Sequence, residues 1–211
     1  MKKVSFVANH PDNNHCFQAA IKMVLKYFQK EKYSWKELEE LTGKKEGLWT
    51  WPLYGMVRLK EKGFDIINME DFDYEKFINL GKQYVLERFG KEVGTAQIKN
   101  SDIPYEINNA KIYQKNFDFP PCIPTFDDIK KLLDEGYLII TNVNSKALNG
   151  IDGYIGHFVL IYNLDEKNLF IHDPGIPPFK ARKVSHDRFT KAWAYPSERD
   201  KNLIALRYHG L

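Results

Sequence analysis

Residues 156–175 read GHFVLIYNLDEKNLFIHDPG, and this stretch is the most informative part of the sequence. Two apolar runs flank a short polar turn, which is the pattern of a β-hairpin whose first strand is buried on both faces. A hairpin centred on Asp165 would set His157 directly opposite Asp173. The Cβ atoms of such a pair lie about 4.5–5.5 Å apart, so the carboxylate can accept a hydrogen bond from the imidazole. The pairing depends on the turn, because a register change of one residue would bring position 174 opposite His157 instead.

The segment 10–28, HPDNNHCFQAAIKMVLKYF, predicts a helix with one buried face. Apolar side chains recur at the i, i+3, i+4 spacing from Phe17 to Phe28, and two asparagines before them are good helix caps. Cys16 therefore lies in the first turn, where the positive end of the helix dipole stabilises a thiolate. A thiol in that position, an imidazole to take its proton and a third group to hold the imidazole are the parts of a nucleophilic catalyst.

Helices are predicted early in the chain and strands late, which indicates an α+β fold. Further helices are predicted over 34–43, 52–63, 74–90, 125–136 and 186–193, and strands over 3–9, 64–69, 137–143, 157–162, 168–172 and 203–208. We expect a single domain over 1–211. Within it, residues 70–121 are predicted to form a mainly helical insertion near the cleft, with 91–121 irregular apart from a short helix.

The composition fits a packed globular protein. Of 211 residues, 43% are hydrophobic and 28% are charged, and the net charge of +3 is not concentrated in a basic stripe of the kind that binds nucleic acid. No apolar run approaches the roughly 18 residues of a membrane helix. The apolar part of the N-terminal MKKVSFVANHPD is too short for a signal peptide. We therefore expect a cytoplasmic protein without nucleic-acid or membrane partners, and the sequence does not define an oligomeric state.

The two cysteines, Cys16 and Cys122, have an ordinary interpretation as well as a catalytic one. Two thiols without a signal peptide argue against a disulfide scaffold, and each can be a small buried hydrophobe. A histidine at a strand end is often a surface residue, and an aspartate before Pro-Gly is often a turn former. The combination of a thiol at a helix start with His157 and Asp173 at facing positions favours catalysis.

Metal binding through His157, His172 and Asp173 is a competing interpretation of the same stretch. His172 alternates to the sheet face opposite Asp173, and the sequence contains no HxxxH or CxxC spacing. We therefore predict neither a metal site nor a cofactor.

Both segments resemble the papain-like cysteine peptidases, specifically the bacteriocin-processing (double-glycine leader) peptidases and their stand-alone relatives. The segment 10–28 is similar to the family's nucleophile helix, and 156–175 to the block that carries its base and orienting acid. The flanking TFDDIKKLLDEGYLIITNV at 125–143 and VSHDRFTKAW at 184–193 fit the same pattern. The resemblance implies a papain-like fold, with the nucleophile helix packed on a C-terminal antiparallel sheet. It also implies Cys16 as nucleophile, His157 as base and Asp173 as the group that orients the base.

Three positions depart from the family pattern. Phe17 follows the nucleophile where the family usually has glycine, and His15 precedes it where the family has Asp or Ser. The family places a glutamine six residues upstream, and its side chain completes the oxyanion hole; here that position is His10, with Asn9 beside it. Both side chains can donate a hydrogen bond to an oxyanion, so His10 and Asn9 are the candidate donors.

The resemblance and the residues together predict a cysteine-dependent hydrolase that cleaves a peptide or amide bond. One alternative is an acyltransferase or amidase that uses the same three groups on a small molecule. The other, from a different class, is a non-catalytic peptide-binding module that retains the fold.

Overall fold

The computed structural model describes residues 2–210, which are built around an antiparallel sheet of six strands. The strands are β1 (Phe64–Glu70), β2 (Leu138–Asn144), β3 (Gly156–Leu164), β4 (Asn168–Asp173), β5 (Phe179–Ser185) and β6 (Asn202–Tyr208). Their order across the sheet is β1-β6-β2-β3-β4-β5, with every neighbouring pair antiparallel. Strand β5, an edge strand, is an addition to the predicted set, and the strand predicted over 3–9 is wrong because those residues pair with no strand of the described sheet.

The helices lie before, between and after the strands. They are α1 (Cys16–Phe28), α2 (Trp35–Thr42), α3 (Pro52–Glu61), α4 (Tyr74–Leu80), α5 (Lys82–Asn100), α6 (Ile103–Asn116), α7 (Phe126–Asp134), α8 (Ser145–Asn149) and α9 (His186–Trp193). Capping boxes at Ser34 and Thr125 start α2 and α7, because each hydroxyl accepts a backbone N–H that the helix leaves unpaired.

Two predictions for the middle of the chain are wrong in detail. The helix expected over 74–90 is interrupted at Gly81 (φ 54°), and α5 is kinked at Gly90 (φ 70°). Glycine adopts such positive φ values without a steric penalty. The stretch expected to be mostly irregular contains α6, whose start is marked by Asp102, which caps the N–H of Tyr105.

Both faces of the central strands are buried, each under a different set of helices. Phe158 and Leu160 of β3 point into the core shared with α1, whereas Val159 and Ile161 point into the core shared with α7 and α9. Because successive side chains of a strand point to opposite faces, an unbroken apolar run is what a strand buried on both sides requires.

Residues 70–121 carry α4, α5 and α6 and share the core of α1. Their buried side chains, among them Phe77, Val85 and Tyr113, belong to the same apolar cluster as Ile21 and Leu25 of α1. The two ends of the segment are neighbours in space, since the Cys122 N–H donates to the Glu70 carbonyl oxygen at 3.1 Å.

Among the described residues, none of the helices combines the length and the apolar character needed to cross a membrane.

Candidate active site

The hairpin of β3 and β4 brings His157 to Asp173, but in a register different from the predicted one. Leu160 pairs with His172, and the ladder is irregular around Tyr162. Extending this register places position 175, not Asp173, opposite His157, so the predicted direct pairing is wrong. The reason is the turn: its closing bond runs from the Asp165 N–H to the oxygen of residue 168, which moves the centre of the hairpin along the chain.

His157 and Asp173 are therefore diagonal neighbours on one face of the sheet. Diagonal cross-strand side chains lie about 7–8 Å apart at the backbone, which long polar side chains can bridge. The His157 Nε2–H donates to Asp173 Oδ1 at 2.8 Å, and both residues are buried.

Asp173 is held from three directions. Its Oδ1 also accepts the Gly175 N–H at 3.0 Å, and its Oδ2 accepts from Arg182 Nη1 at 2.7 Å. The other guanidinium nitrogen of Arg182 donates to the Leu148 carbonyl oxygen at 3.1 Å. Burial alone would raise the pKa of Asp173, but the hydrogen bond and charge of His157, with the Gly175 N–H and Arg182, hold that pKa below its ordinary value. The carboxylate is thus fixed in both charge and orientation.

Cys16 is the first residue of α1, and its thiol is close enough to His157 for the imidazole to act on its pKa. Since Nε2 of His157 faces Asp173, Nδ1 is the ring nitrogen left for the thiol. Burial by itself would raise the pKa of the Cys16 thiol, but the hydrogen bond and positive charge of His157 outweigh it, together with backbone bonds from Phe158 and Phe17. For His157 the signs are reversed, because burial lowers the pKa of an imidazole. The interactions of His157 with Asp173 and Cys16 raise its pKa, and their effect exceeds that of burial. The arrangement favours a thiolate beside an imidazolium.

A cavity of about 530 Å³ opens beside the thiol. Its lining includes Cys16 and His157 and the aromatic side chains of Trp49, Trp51, Phe72, Phe89, Tyr154 and Phe158. Helix α5 contributes Arg88, Phe89 and Val93, so the segment 70–121 forms part of the wall. Arg88 is buried and paired with Asp200 at 2.9 Å, which fixes this wall to the chain after α9.

Of the candidate oxyanion donors, Asn9 takes part in other hydrogen bonds and His10 packs on a neighbouring ring. Asn9 Oδ1 accepts the His15 N–H at 2.9 Å, and Asn9 Nδ2 donates to Asn13 Oδ1 at 3.1 Å. The His10 ring packs against His15, with ring centroids 4.8 Å apart. Among the described residues, Asn13 and Asn14 line the cavity, whereas Asn9 and His10 do not. The assignment of an oxyanion donor therefore stays a prediction.

The remaining residues singled out from the sequence take structural positions. His172 lies on the sheet face opposite Asp173; its Nε2–H donates to the Val4 carbonyl oxygen at 2.9 Å and its Nδ1 accepts the Ala181 N–H at 3.1 Å. Cys122 is a free thiol, as is Cys16, and burial raises the pKa of Cys122.

Arg182 was missed by sequence reasoning. It lies in a run of charged residues on an exposed edge strand, and nothing in its spacing distinguishes it from a surface arginine.

No family model and no curated protein matches the sequence. Solved structures do match over nearly the whole chain. The peptidase domain of Streptococcus ComA, a bifunctional ABC transporter involved in quorum sensing, is 16% identical with a TM-score of 0.52, covering 98% of this chain and 100% of its own. A double-glycine-motif protease from an AMS/PCAT transporter, solved with its leader peptide, is 14% identical with a TM-score of 0.50, covering 100% and 94%. A C39-like peptidase from Bacillus anthracis is 12% identical with a TM-score of 0.52, covering 100% and 98%.

The chain therefore has the papain-like fold of the C39 peptidase domains. The resemblance in the segments 10–28 and 156–175 is confirmed at the level of the fold, as is the predicted packing of helices on an antiparallel sheet.

Proposed function

We propose that this protein is a cysteine-dependent hydrolase of peptide or amide bonds, with Cys16, His157 and Asp173 as its catalytic residues. The observation that carries the proposal is the buried hydrogen bond between His157 and Asp173 at the wall of a cavity that Cys16 and His157 both line, with the imidazole lowering the pKa of the Cys16 thiol. The peptidase fold supports it independently.

The reaction follows from the positions of these groups. The Cys16 thiolate attacks the carbonyl carbon and forms a C–S bond while the carbonyl oxygen becomes an oxyanion. The backbone N–H of Cys16, which has no acceptor within α1 because it is in the first turn, is one donor to that oxygen. The oxyanion then collapses, the C–N bond breaks, and the His157 imidazolium gives its proton to the departing amine.

Hydrolysis of the thioester completes the cycle. His157, now neutral, takes a proton from water as the water attacks the thioester carbonyl, and it returns that proton to the Cys16 sulfur as the C–S bond breaks. Asp173 keeps Nδ1 of His157 facing the sulfur throughout, and Arg182 keeps Asp173 in place as a positioning residue.

The cavity supports a substrate with a bulky apolar group next to the scissile carbonyl. Aromatic walls bury apolar groups, and Arg88, the cation that α5 contributes to the cavity lining, is already paired with Asp200. We propose that the chain is one domain over 1–211 in which residues 70–121 act as a specificity element, because α5 supplies part of this wall while its neighbours α4 and α6 share the core of α1.

One observation favours the related activity on a small molecule. A cavity of about 530 Å³ is within the range of about 300–1,000 Å³ typical of small-molecule sites. An acyltransferase or amidase would form the same thioester on Cys16 and differ only in the substrate and in whether water or another nucleophile resolves the thioester.

The test is hydrolysis across a peptide library that varies the residue before the scissile bond, with Cys16→Ala as the inactive variant and Cys122→Ala as the matched control. We expect cleavage after bulky apolar residues that is lost in Cys16→Ala and retained in Cys122→Ala. A parallel screen with acyl thioesters and amide-bearing electrophiles, read by mass spectrometry of the intact protein, detects acylated Cys16 whatever nucleophile follows. If neither screen acylates Cys16 faster than a free cysteine, the chain is a binding module and the proposal is wrong.

A further inference from the structure

The loop before α1 brings three ligand-type side chains together. His10, Asp12 and His15 lie outside the β3–β4 hairpin, to which the metal interpretation of the sequence was confined. Asp12 Oδ1 lies 3.3 Å from His10 Nδ1 and 2.8 Å from His15 Nδ1, and all three atoms lie within 4.8 Å of one another.

His10 Nδ1 needs a partner that the protein does not provide. The atom is buried and has no hydrogen-bond partner within residues 2–210, although Asp12 Oδ1 lies 3.3 Å away. Buried polar atoms in native proteins are nearly always satisfied, so an unpaired imidazole nitrogen indicates an absent partner. The nitrogen lies beside the other two ligand atoms, which points to an ion shared by all three.

The hydrogen bonds made by His15 and Asp12 are also those expected of metal ligands. His15 is buried, and its other nitrogen, Nε2, lies 2.8 Å from Glu39 Oε1. Asp12 Oδ1 accepts the Asn14 N–H at 3.0 Å. A ligating histidine almost always donates its second N–H to a carboxylate or carbonyl, and a ligating carboxylate is itself hydrogen-bonded.

We propose that His10, Asp12 and His15 bind a divalent transition-metal ion of the zinc type, with Glu39 orienting His15. A tetrahedral ion with bonds of roughly 2.0–2.1 Å has ligand atoms about 3.3 Å apart, which matches the 3.3 Å between Asp12 Oδ1 and His10 Nδ1. Asp12 Oδ1 and His15 Nδ1 are hydrogen-bonded at 2.8 Å, so these two atoms would move apart to admit the ion. Two imidazoles exclude a site built for Ca²⁺ or Mg²⁺, which take oxygen ligands. Three protein ligands leave a fourth position for water.

The bound ion would fix the loop that leads into the nucleophile helix. His15 is the residue immediately before α1, so the site joins that helix start to Glu39 of α2. This inference does not depend on the chemistry of Cys16, and its test is metal binding rather than activity.

The experiment starts from chelator-treated protein titrated with Co²⁺, whose visible absorption reports coordination number and ligand type, followed by competition with Zn²⁺. We expect saturable binding of one tetrahedral Co²⁺ per chain, without a thiolate-to-metal charge-transfer band, and displacement by Zn²⁺. His10→Ala, at a half-exposed position, should abolish this binding, whereas His209→Ala, an exposed histidine outside the site, should not change it. Removing the carboxylate that orients His15, in Glu39→Ala, should weaken the binding about 10- to 100-fold.

Two control measurements distinguish loss of the metal site from loss of folding and from binding by the thiol. Circular dichroism of chelator-treated His10→Ala checks that the variant is folded, and Cys16→Ala checks that the nearby thiol is not the ligand. Unchanged Co²⁺ affinity in His10→Ala, loss of binding in Cys16→Ala, or no saturable binding in the unmodified protein would each overturn the site. In the last case His15 would be an imidazole paired between Asp12 and Glu39 without an ion.

Discussion

Glu106 is a buried carboxyl group that the proposed mechanism does not use, and it makes the stability of the fold depend on pH. It lies on α6 with only 4% of its surface exposed, and it accepts a hydrogen bond from Asn109 Nδ2 at 3.0 Å. The pKa of Glu106 is raised from an ordinary value of 4.5 to about 7, chiefly by burial; Asp102 also raises it, whereas Asn109, the backbone of Trp51 and Lys45 lower it. The informative substitution is Glu106→Gln, which keeps an acceptor oxygen and removes the charge.

The magnitude follows from the two pKa values. Between pH 4.5 and about 7 the folded protein holds a proton on Glu106 that the unfolded chain has released, so the stability that this proton provides is lost as the pH rises. Each unit of difference between the folded and unfolded pKa values corresponds to roughly 1.4 kcal/mol, so the shift of Glu106 changes the free energy of unfolding by about 3 kcal/mol. The stabilisation is complete below pH 4.5 and absent above about pH 7, and the amide of the Glu106→Gln variant does not undergo the change.

The assay is urea unfolding of both proteins, followed by tryptophan fluorescence at several pH values from about 5 to 8. We expect Glu106→Gln to gain stability over the unmodified protein as the pH rises, by an amount that approaches 3 kcal/mol. Glu166→Gln, an exposed glutamate in the β3–β4 turn, is the matched control and should show no such trend. If the difference between Glu106→Gln and the unmodified protein is the same at pH 5 and pH 8, the carboxyl group is ionised throughout and the reasoning is refuted.

Three further outcomes are expected. Iodoacetamide should modify Cys16 before Cys122 in the native protein, because His157 lowers the pKa of Cys16 while burial raises that of Cys122; mass spectrometry that finds Cys122 labelled first contradicts this. Asp173→Asn should slow the labelling of Cys16 roughly 10- to 30-fold at neutral pH, since a thiol near its ordinary pKa is only a few per cent ionised; an unchanged rate with an intact circular dichroism spectrum would show that the carboxylate is not needed. Limited proteolysis should not release residues 70–121 as a folded piece, and isolation of such a piece would show that they are a separate domain.

The sequence was sufficient for the parts of the fold that depend on apolar periodicity. The helix from Cys16 and the doubly buried strand from His157 were predicted because unbroken patterns of apolar side chains define which face each residue occupies. The same alternation predicted that His157 and Asp173 lie on one face of the sheet. This prediction holds although the register differs by two residues, because a shift of two keeps each side chain on its face. The register itself depends on the turn after Asp165, where hydrogen bonds of polar groups decide the length of the loop.

The features that were missed have a weak apolar period or none. Strand β5 has five exposed residues out of seven, so its pairing with β4 is not visible in the order of apolar and polar residues, and Arg182 was missed with it. Helix α6 buries residues at helical spacing, but two of the five, Glu106 and Asn109, are polar, so the apolar pattern is weak and the start is marked only by Asp102 and the proline in the first turn. The metal-type cluster depends on the conformation of a loop, in which Asn13 has a positive φ of 60°.

The hydrogen bond between Glu70 and Cys122 has a consequence for engineering this protein. Because the ends of the intervening segment meet, the chain could be cut at both points and rejoined, or supplied with a homologous segment, without redesigning either joint. The surface through which residues 70–121 pack against the rest of the protein limits such an exchange. The Phe77 ring stacks on Trp51 with centroids 5.2 Å apart, and Tyr113 belongs to the core that α1 needs, so excision would open a large apolar face beside the cavity. A graft intended to change what the cavity accepts must therefore preserve this aromatic interface, and the residues free to vary are those of α5 that face the cavity and not the core.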